Sequence, residues 1–316
     1  MSKNGENFAG FLRALGFTPA ACLVVATLIL VFGVSLGVMM KSGSRSSLAV
    51  KKTEVAPAVS EVASILSAPE EVVRDVSAFE EFSLPAPYDV KPPMVAFIID
   101  DMGVDMIRSA QVLAFSAPLD VSYLTYAPNL QAQIDGAREA GKEVMLHVPM
   151  EAMSDTYDYG PAYLATSNSA AENVALLKKM IGGTRGFIGI NNHMGSKFTA
   201  DAGQMEALMA ELDRLGLAFV DSLTSPRTKT RKIAAGLGMP YAVRDVFIDD
   251  SAEPSDILAQ FALLESIAKK RGYAVAIGHP RTNTIRLLRD WLASAGERGF
   301  TVVPLSYIIN NFERRK

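Results

Sequence analysis

An α/β fold built as a barrel of parallel strands is what this chain predicts, on three observations. Short apolar runs alternate with helix-patterned stretches from Met94 onward, and that alternation calls for a parallel sheet with helices outside. Seven or eight such units fill roughly 220 residues, which suits a barrel, distorted if need be, better than an open sheet. The chain has 3 histidines, His147, His193 and His279, and each follows an apolar run that reads as a buried strand. Parallel strands carry their chemistry at their C-terminal ends, so every imidazole in the molecule is expected on one face of one sheet.

Taken in order, strands are expected near Met94–Asp100, Leu119–Tyr126, Glu143–Val148, Gly186–Asn191, Ala218–Asp221, Ala242–Ile248, Tyr273–Gly278 and Thr301–Pro304. Between them Gln131–Ala140, Ala171–Ile181, Ala202–Leu215, Pro254–Lys270 and Thr284–Arg298 carry apolar residues at three-to-four spacing, the period of a helix with one buried face. Glycines at 141, 182, 216, 272 and 299 stop these helices.

Upstream the texture differs. Residues 20–40 form an uncharged apolar run long enough to cross a bilayer once, and no small-x-small cleavage site follows it, so an uncleaved transmembrane anchor is expected. Residues 1–19 precede it as a cytoplasmic tail. Residues 41–93 are rich in Pro, Ser, Ala, Val and Glu and read as a disordered linker, unable to bury enough apolar surface to offset its ordering entropy. The domain then occupies 94–316. Lys41, Arg45, Lys51 and Lys52 follow the apolar run, against Lys3 and Arg13 before it, and the positive-inside rule places the C-terminal side in the cytoplasm.

Whole-chain composition excludes several classes. A net charge of −3 gives no basic face for a phosphate backbone, so no nucleic-acid partner is expected. The single cysteine, Cys22, allows neither an internal disulfide nor a thiolate zinc site. Neither a Walker lysine, a dinucleotide fingerprint nor a Gly-x-Ser-x-Gly elbow is present.

The chemistry-bearing residues cluster at predicted strand ends. Asp100-Asp101 closes the first strand; adjacent carboxylates are costly to bury unless a cation or proton separates them, and one can bind a metal while the other stays free as a base. His147-x-x-x-Glu151 follows the third strand, with Pro149 blocking the helical zinc-protease arrangement. Asn191-Asn192-His193-Met194-Gly195-Ser196 places amides, an imidazole and a hydroxyl after the fourth, suited to orienting a ligand or a sugar hydroxyl. Asp221-Ser222 and Arg244-Asp245 fall at strand ends or edges, Asp249-Asp250 lies just beyond, and His279 ends the last inner strand, placed to protonate a leaving group. Singly, His147 reads equally well as a core-edge residue satisfied by a carbonyl and His279 as a capped core histidine, while the run around His193 reads as a functional loop in preference to a turn with Asx-type hydrogen bonds. Jointly, one Asp and two His on a zinc-like cation leave positions for water and a carbonyl oxygen, the minimum for metal-assisted hydrolysis.

In order, Ile98-Ile-Asp-Asp-Met-Gly103, Leu146-His-Val-Pro-Met-Glu151, Asn191-Asn-His-Met-Gly-Ser196, Val220-Asp-Ser222, Arg244-Asp-Val-Phe247 and Ile277-Gly-His-Pro280 resemble the motifs of the divergent polysaccharide deacetylases. The resemblance spans Met94 to Tyr307. It implies the distorted (β/α) barrel of the polysaccharide deacetylases and hydrolysis of acetyl groups from an envelope glycan with a divalent metal, usually Zn²⁺. By the same resemblance Asp100 is the base, Asp101 a metal ligand with His147, and His279 the acid, with Asp221 orienting His279 and Arg244 tuning Asp100. Ordinary members supply a His-x-x-x-His pair; here the second histidine is replaced, and His193 is preferred over Glu151 as the remaining ligand. Asn191, Asn192 and Ser196, with Glu151, are left to the substrate or as substitute ligands. A glycan substrate implies a single-pass protein of the bacterial inner membrane with its barrel in the periplasm, against the flank charges. The altered ligand motif also admits an inactive barrel that binds glycan or an envelope protein.

Overall fold

Phe79, inside the stretch read as linker, is fully buried. The computed structural model describes residues 76–85, 88–154, 156 and 158–313. Within them the linker reading is corrected: Ser77 caps helix α1 (Ala78–Phe82) in a capping box with Glu80, and Phe79 enters the apolar interior. Burying one such ring contributes about 2–3 kcal/mol, enough to fix a short segment that composition alone marks as unstructured. The expected anchor, 20–40, and most of the linker lie outside the described residues. Among the described residues no helix is long and apolar enough to cross a membrane.

The strands form one parallel sheet, as expected. In chain order they are β1 (Met94–Met102), β2 (Asp120–Leu124), β3 (Glu143–Met150), β4 (Gly189–Met194), β5 (Ala218–Asp221), β6 (Tyr241–Val243), β7 (Val246–Phe247), β8 (Tyr273–Gly278) and β9 (Thr301–Val302). The sheet order is β6-β5-β4-β3-β2-β1-β8-β7, with β9 added beside β1. One strand was expected over Ala242–Ile248; the chain instead makes two, at opposite edges of the sheet. The Arg244 amide donates to Asp221 on the β5 side, and the next amide, Asp245, donates to Val275 on the β8 side. The edges therefore approach within one residue of each other. The sheet curls into an incomplete barrel whose seam is closed by a peptide rather than by a ladder of hydrogen bonds.

The helices are α2 (Met106–Leu113), α3 (Leu130–Glu139), α4 (Ala170–Ile181), α5 (Ala202–Arg214), α6 (Thr230–Leu237), α7 (Pro254–Arg271), α8 (Thr282–Ser294) and the short α9 (Leu305–Ile308). Helices α2 and α6 escape a periodicity reading for a physical reason. In α2, Met106 and Ile107 face solvent while Ser109 and Val112 are buried. In α6 only Thr230 and Ala234 are buried.

Strand alternation separates two cores. Outward-facing Val95, Phe97, Val144 and Phe219 pack with the helices. Inward-facing Met94, Ala96, Ile98, Met145, Val220, Val275 and Ile277 fill the barrel, and Phe79, Val303, Leu305 and Ile308 plug its lower end. Two buried carboxylates stand at that end. Asp120 accepts the Leu305 amide, and Glu143 accepts the Ser306 amide and hydroxyl and the Leu84 amide. They tie α9 and the α1 segment to the floor, leaving the upper end, at the strand C-termini, open for chemistry.

Candidate functional site

Asp100 and Asp101 both belong to β1, and an ideal strand would point them to opposite faces. Between Ile99 and Met102 the register with β2 slips by one residue, and Asp101 takes a left-handed backbone, φ 54°. This bulge turns Asp101 back so that both carboxylates meet the same cavity. Gly103, with φ 100°, completes the turn. A Cβ there would lie 2.6 Å from Ala127 Cβ and 2.8 Å from the Tyr123 ring. Met194 and Leu223, at the ends of β4 and β5, are also left-handed, at φ 57° and 49°, and line the same cavity. Three non-glycine residues in this region at one site store strain of about 1–3 kcal/mol each, a pattern found where geometry serves function.

Strands β3 and β4 run on past their expected ends, which brings His193 into β4, and His147 within β3 is directly paired with Asn191 of β4. His193 follows two positions later on the same face. His279 is the first residue beyond β8. All three imidazoles gather at the mouth of the barrel, around a cavity of about 780 Å³.

The centre is tight. His193 Nδ1 lies 3.1 Å and His147 Nε2 3.5 Å from Asp101 Oδ1. His147 Nε2 is also 3.6 Å from Asp100 Oδ2, and His279 Nε2 is 3.7 Å from Asp101 Oδ2. Asp101, His147 and His193 can each offer one ligand atom, all within 4.8 Å of one another. Among the described residues Asp101 Oδ1 is the one buried side-chain polar atom without a hydrogen-bond partner of good geometry. A buried carboxylate oxygen left unpaired between two imidazole nitrogens costs free energy that a cation would recover. One carboxylate and two imidazoles also form a donor set suited to zinc, with coordination positions left over. The residues present therefore fit a divalent metal.

Electrostatics separates the two acids. Burial pushes the Asp100 carboxyl above its ordinary value, and His147, His279 and Asn191 only partly oppose it. Burial acts on Asp101 too, but His193, His147 and His279 outweigh it and hold that carboxyl well below the usual range. Burial lowers His147. Burial would lower His279 as well, but Asp249 overcomes it and raises that imidazole.

Several expected roles are corrected. Asp221 does not orient His279: its oxygens accept from the Leu223 amide and the Thr228 and Thr230 hydroxyls, fixing the turn after β5. Asp249 holds that place, 2.9 Å from His279 Nδ1. Glu151 is no ligand, because Lys197 and Thr166 engage both its oxygens. Arg244 lines the cavity and donates to the Ser222 and Leu223 carbonyls; it makes no hydrogen bond to Asp100 but interacts with it through its charge, as expected of a tuning residue. Asn191 is wholly buried and closed to substrate. Asn192 ties the β4 and β5 ends together through the Met194 carbonyl and the Ser222 amide. Asn192 and Ser196 both keep a place on the cavity wall, Ser196 also accepting the Met153 amide. Sequence reasoning names Asp249 among the carboxylates near the later strands but gives it no role; its signal is an acidic pair after an apolar run, the same pattern as Asp100-Asp101.

Fold and site together define a parallel α/β barrel with a carboxylate–imidazole centre at its strand C-termini. Residues 97–309 match the divergent polysaccharide deacetylase family, and the chain belongs to that family. The uncharacterized protein YibQ of Escherichia coli (strain K12) is 32% identical over 216 residues, 68% of this chain and 67% of that protein. An uncharacterized protein of Haemophilus influenzae is 35% identical over 204 residues, 64% of this chain and 72% of that protein. The crystal structure of the uncharacterized protein ATU2773 from Agrobacterium tumefaciens C58 shares the fold, with a TM-score of 0.70 at 24% identity over 73% of this chain and 95% of that one.

Proposed function

We propose that this protein is a metal-dependent hydrolase that removes acetyl groups from an envelope glycan. The observation that carries the reading is the unpaired, buried Asp101 Oδ1 between His193 Nδ1 and His147 Nε2. When bound there, a divalent cation, Zn²⁺ by its donor set, supplies Lewis acidity toward the acetyl carbonyl and acidifies the attacking water. Asp101, His147 and His193 are the residues that hold it.

The remaining groups move protons. Asp100, the buried carboxylate with a raised pKa, accepts the proton of the water that attacks the acetyl carbon. The carbonyl carbon gains a bond to the water oxygen and loses its bond to the sugar nitrogen or oxygen. His279, charged through Asp249, donates its Nε2 proton to that departing atom. Acetate and the free amine or hydroxyl result. Leu223, Met194, Phe247 and Arg244 line the cavity above the centre and shape the space for a sugar ring.

The uncharged run 20–40 supports a single-pass anchor, and a glycan substrate supports a barrel on the periplasmic side of the inner membrane. A reporter fused after Lys316 tests this: a periplasmic signal is expected, and a cytoplasmic one removes exported glycans as substrates. The reaction is tested by acetate release from N-acetylated chitin-type and peptidoglycan-type oligosaccharides by the zinc-loaded protein. Release lost in Asp100→Asn supports the reading. Glycan binding without acetate release, unchanged in Asp101→Ala, would replace it with an inactive glycan-binding barrel.

A further inference from the structure

We infer that Asn191 is a positioning residue that sets both halves of the centre at once. Its amide oxygen fixes which nitrogen His147 presents, and its amide N–H aims Asp100. The inference rests on the function proposed above and adds to it a residue that touches neither substrate nor ion.

Asn191 is wholly buried, and every bond its side chain can form is formed. Oδ1 accepts from Ser122 Oγ at 2.7 Å and from His147 Nδ1 at 2.8 Å. Nδ2 donates to Asp100 Oδ1 at 2.8 Å and to Ser222 Oγ at 3.4 Å. Packing does not require an amide at this position. The barrel interior around it is otherwise apolar, with Met145, Ile98 and its β5 register partner Val220 facing inward, and a leucine would fill the same volume. A buried amide in place of that leucine costs free energy unless fully bonded, so its bonds are what the position serves.

Its orientation follows from its neighbours. Turned over, the amide would set its oxygen against an oxygen of Asp100 and its NH₂ against His147. His147 Nδ1 would then have to accept, and the ring proton would move to Nε2. In the orientation present, Nδ1 carries the proton and donates to Asn191. Nε2 is left bare, facing Asp101 Oδ1 at 3.5 Å. Asp100 thus selects the face of the amide, and the amide selects the tautomer of the ligand. The pairing is built into the sheet, since His147 and Asn191 are register partners across β3 and β4.

Two substitutions separate the two arms. In Asn191→Leu both are lost. In Asn191→Asp a carboxylate oxygen still accepts from His147 and Ser122, but an oxygen replaces the N–H facing Asp100. The full chain labelled with ¹⁵N-histidine gives 3 imidazole systems, and His147→Gln identifies the one from His147. In the metal-free wild type, His147 is expected as the Nδ1–H tautomer. Asn191→Leu should lose that tautomer and weaken zinc binding about 10–100-fold. Asn191→Asp should keep the tautomer and bind zinc within about threefold of wild type, while kcat falls by about 10²-fold at unchanged KM. A purely structural role would not divide zinc affinity from turnover in this way.

Two results would overturn the inference: an Nδ1–H tautomer and zinc affinity untouched by Asn191→Leu, or identical behaviour of the two variants. Should Asn191→Leu fail to fold, Asn191→Asp decides alone, through retained zinc and lost turnover against loss or retention of both. A wild type that binds zinc through the Nδ1–H tautomer yet releases no acetate defeats the proposed reaction and leaves the tautomer assignment standing.

Discussion

His279 Nδ1 sits 2.9 Å from Asp249 Oδ1, and the other oxygen of Asp249 accepts the His279 backbone amide at 2.8 Å and the Thr284 hydroxyl at 2.7 Å. One buried carboxylate therefore fixes the imidazole ring, its tautomer and its backbone together. Burial alone would discharge His279; Asp249 reverses this and raises it above the ordinary imidazole value. As the proton donor, His279 must be charged, so turnover is expected to fall on the alkaline side, at the raised pKa. Asp249→Asn removes the main raising influence and leaves the desolvation. The alkaline limb of the kcat profile should then move to lower pH. Stability follows the same linkage. The raised imidazole contributes fully below its unfolded value near pH 6.5 and loses that contribution as pH rises through the folded value, while the lowered Asp249 carboxyl contributes above about pH 4. The variant should therefore lose most stability between those limits. An unmoved alkaline limb would remove His279 as the acid.

Zinc titration distinguishes His193 from Glu151. His193→Ala removes a nitrogen 3.1 Å from Asp101 Oδ1, and affinity should fall by about 10²-fold or more. Glu151→Gln alters a side chain already engaged by Lys197 and Thr166, so zinc affinity should stay within about threefold. Its effect should appear instead as faster proteolysis of the loop between β3 and α4. The reverse order of affinities would return Glu151 to the centre.

At the barrel floor, burial first and then Glu143 raise Asp120 well above the ordinary carboxyl value. A folded-state pKa above the unfolded one gives stability that is full below about pH 4 and lost as pH rises through the folded value. Asp120→Asn mimics the protonated form: its oxygen can still accept the Leu305 amide, and its NH₂ can donate to Glu143. Thermal melts should show the variant gaining on wild type as pH rises from about 4 to about 8. A difference that does not change with pH would show that Asp120 titrates normally.

Much of this architecture was legible because it rests on pattern. Alternating apolar runs gave the parallel sheet, and the scarcity of histidine gave the cluster at its C-terminal ends. Other features rest on geometry that pattern does not encode. The residues 242–248 are apolar enough for one strand, yet the chain crosses the seam between Arg244 and Asp245 because the curled sheet brings its two edges together there. Phe79 reads as linker because a single anchoring ring does not change composition. Asp221 and Asp249 both follow apolar strands, and only the fold shows that Thr228 and Thr230 engage the first while His279 engages the second. Asn191 and His147 lie 44 positions apart, and their pairing depends on strand register.

Gly103 tests the bulge that aims Asp101. Its φ of 100° is strained for any L-residue, and a Cβ would collide with Ala127 and Tyr123. Gly103→Ala should destabilise the fold by about 2 kcal/mol or more in denaturant melts. Zinc affinity should fall as well, because relief of the clash displaces the turn that carries Asp101. A neutral effect on both would mean that the turn does not fix the carboxylate.

The most direct measurement is a crystal structure of the zinc-loaded protein with anomalous scattering collected at the zinc edge. One ion is expected at about 2.0–2.2 Å from Asp101 Oδ1, His147 Nε2 and His193 Nδ1. Asp100 and His279 should stand beside it without binding it, still held by Asn191 and Asp249. An ion bound through Glu151 or His279 in place of His193, or no ion at zinc concentrations that saturate the protein in solution, would contradict the shared centre on which the proposed hydrolysis depends.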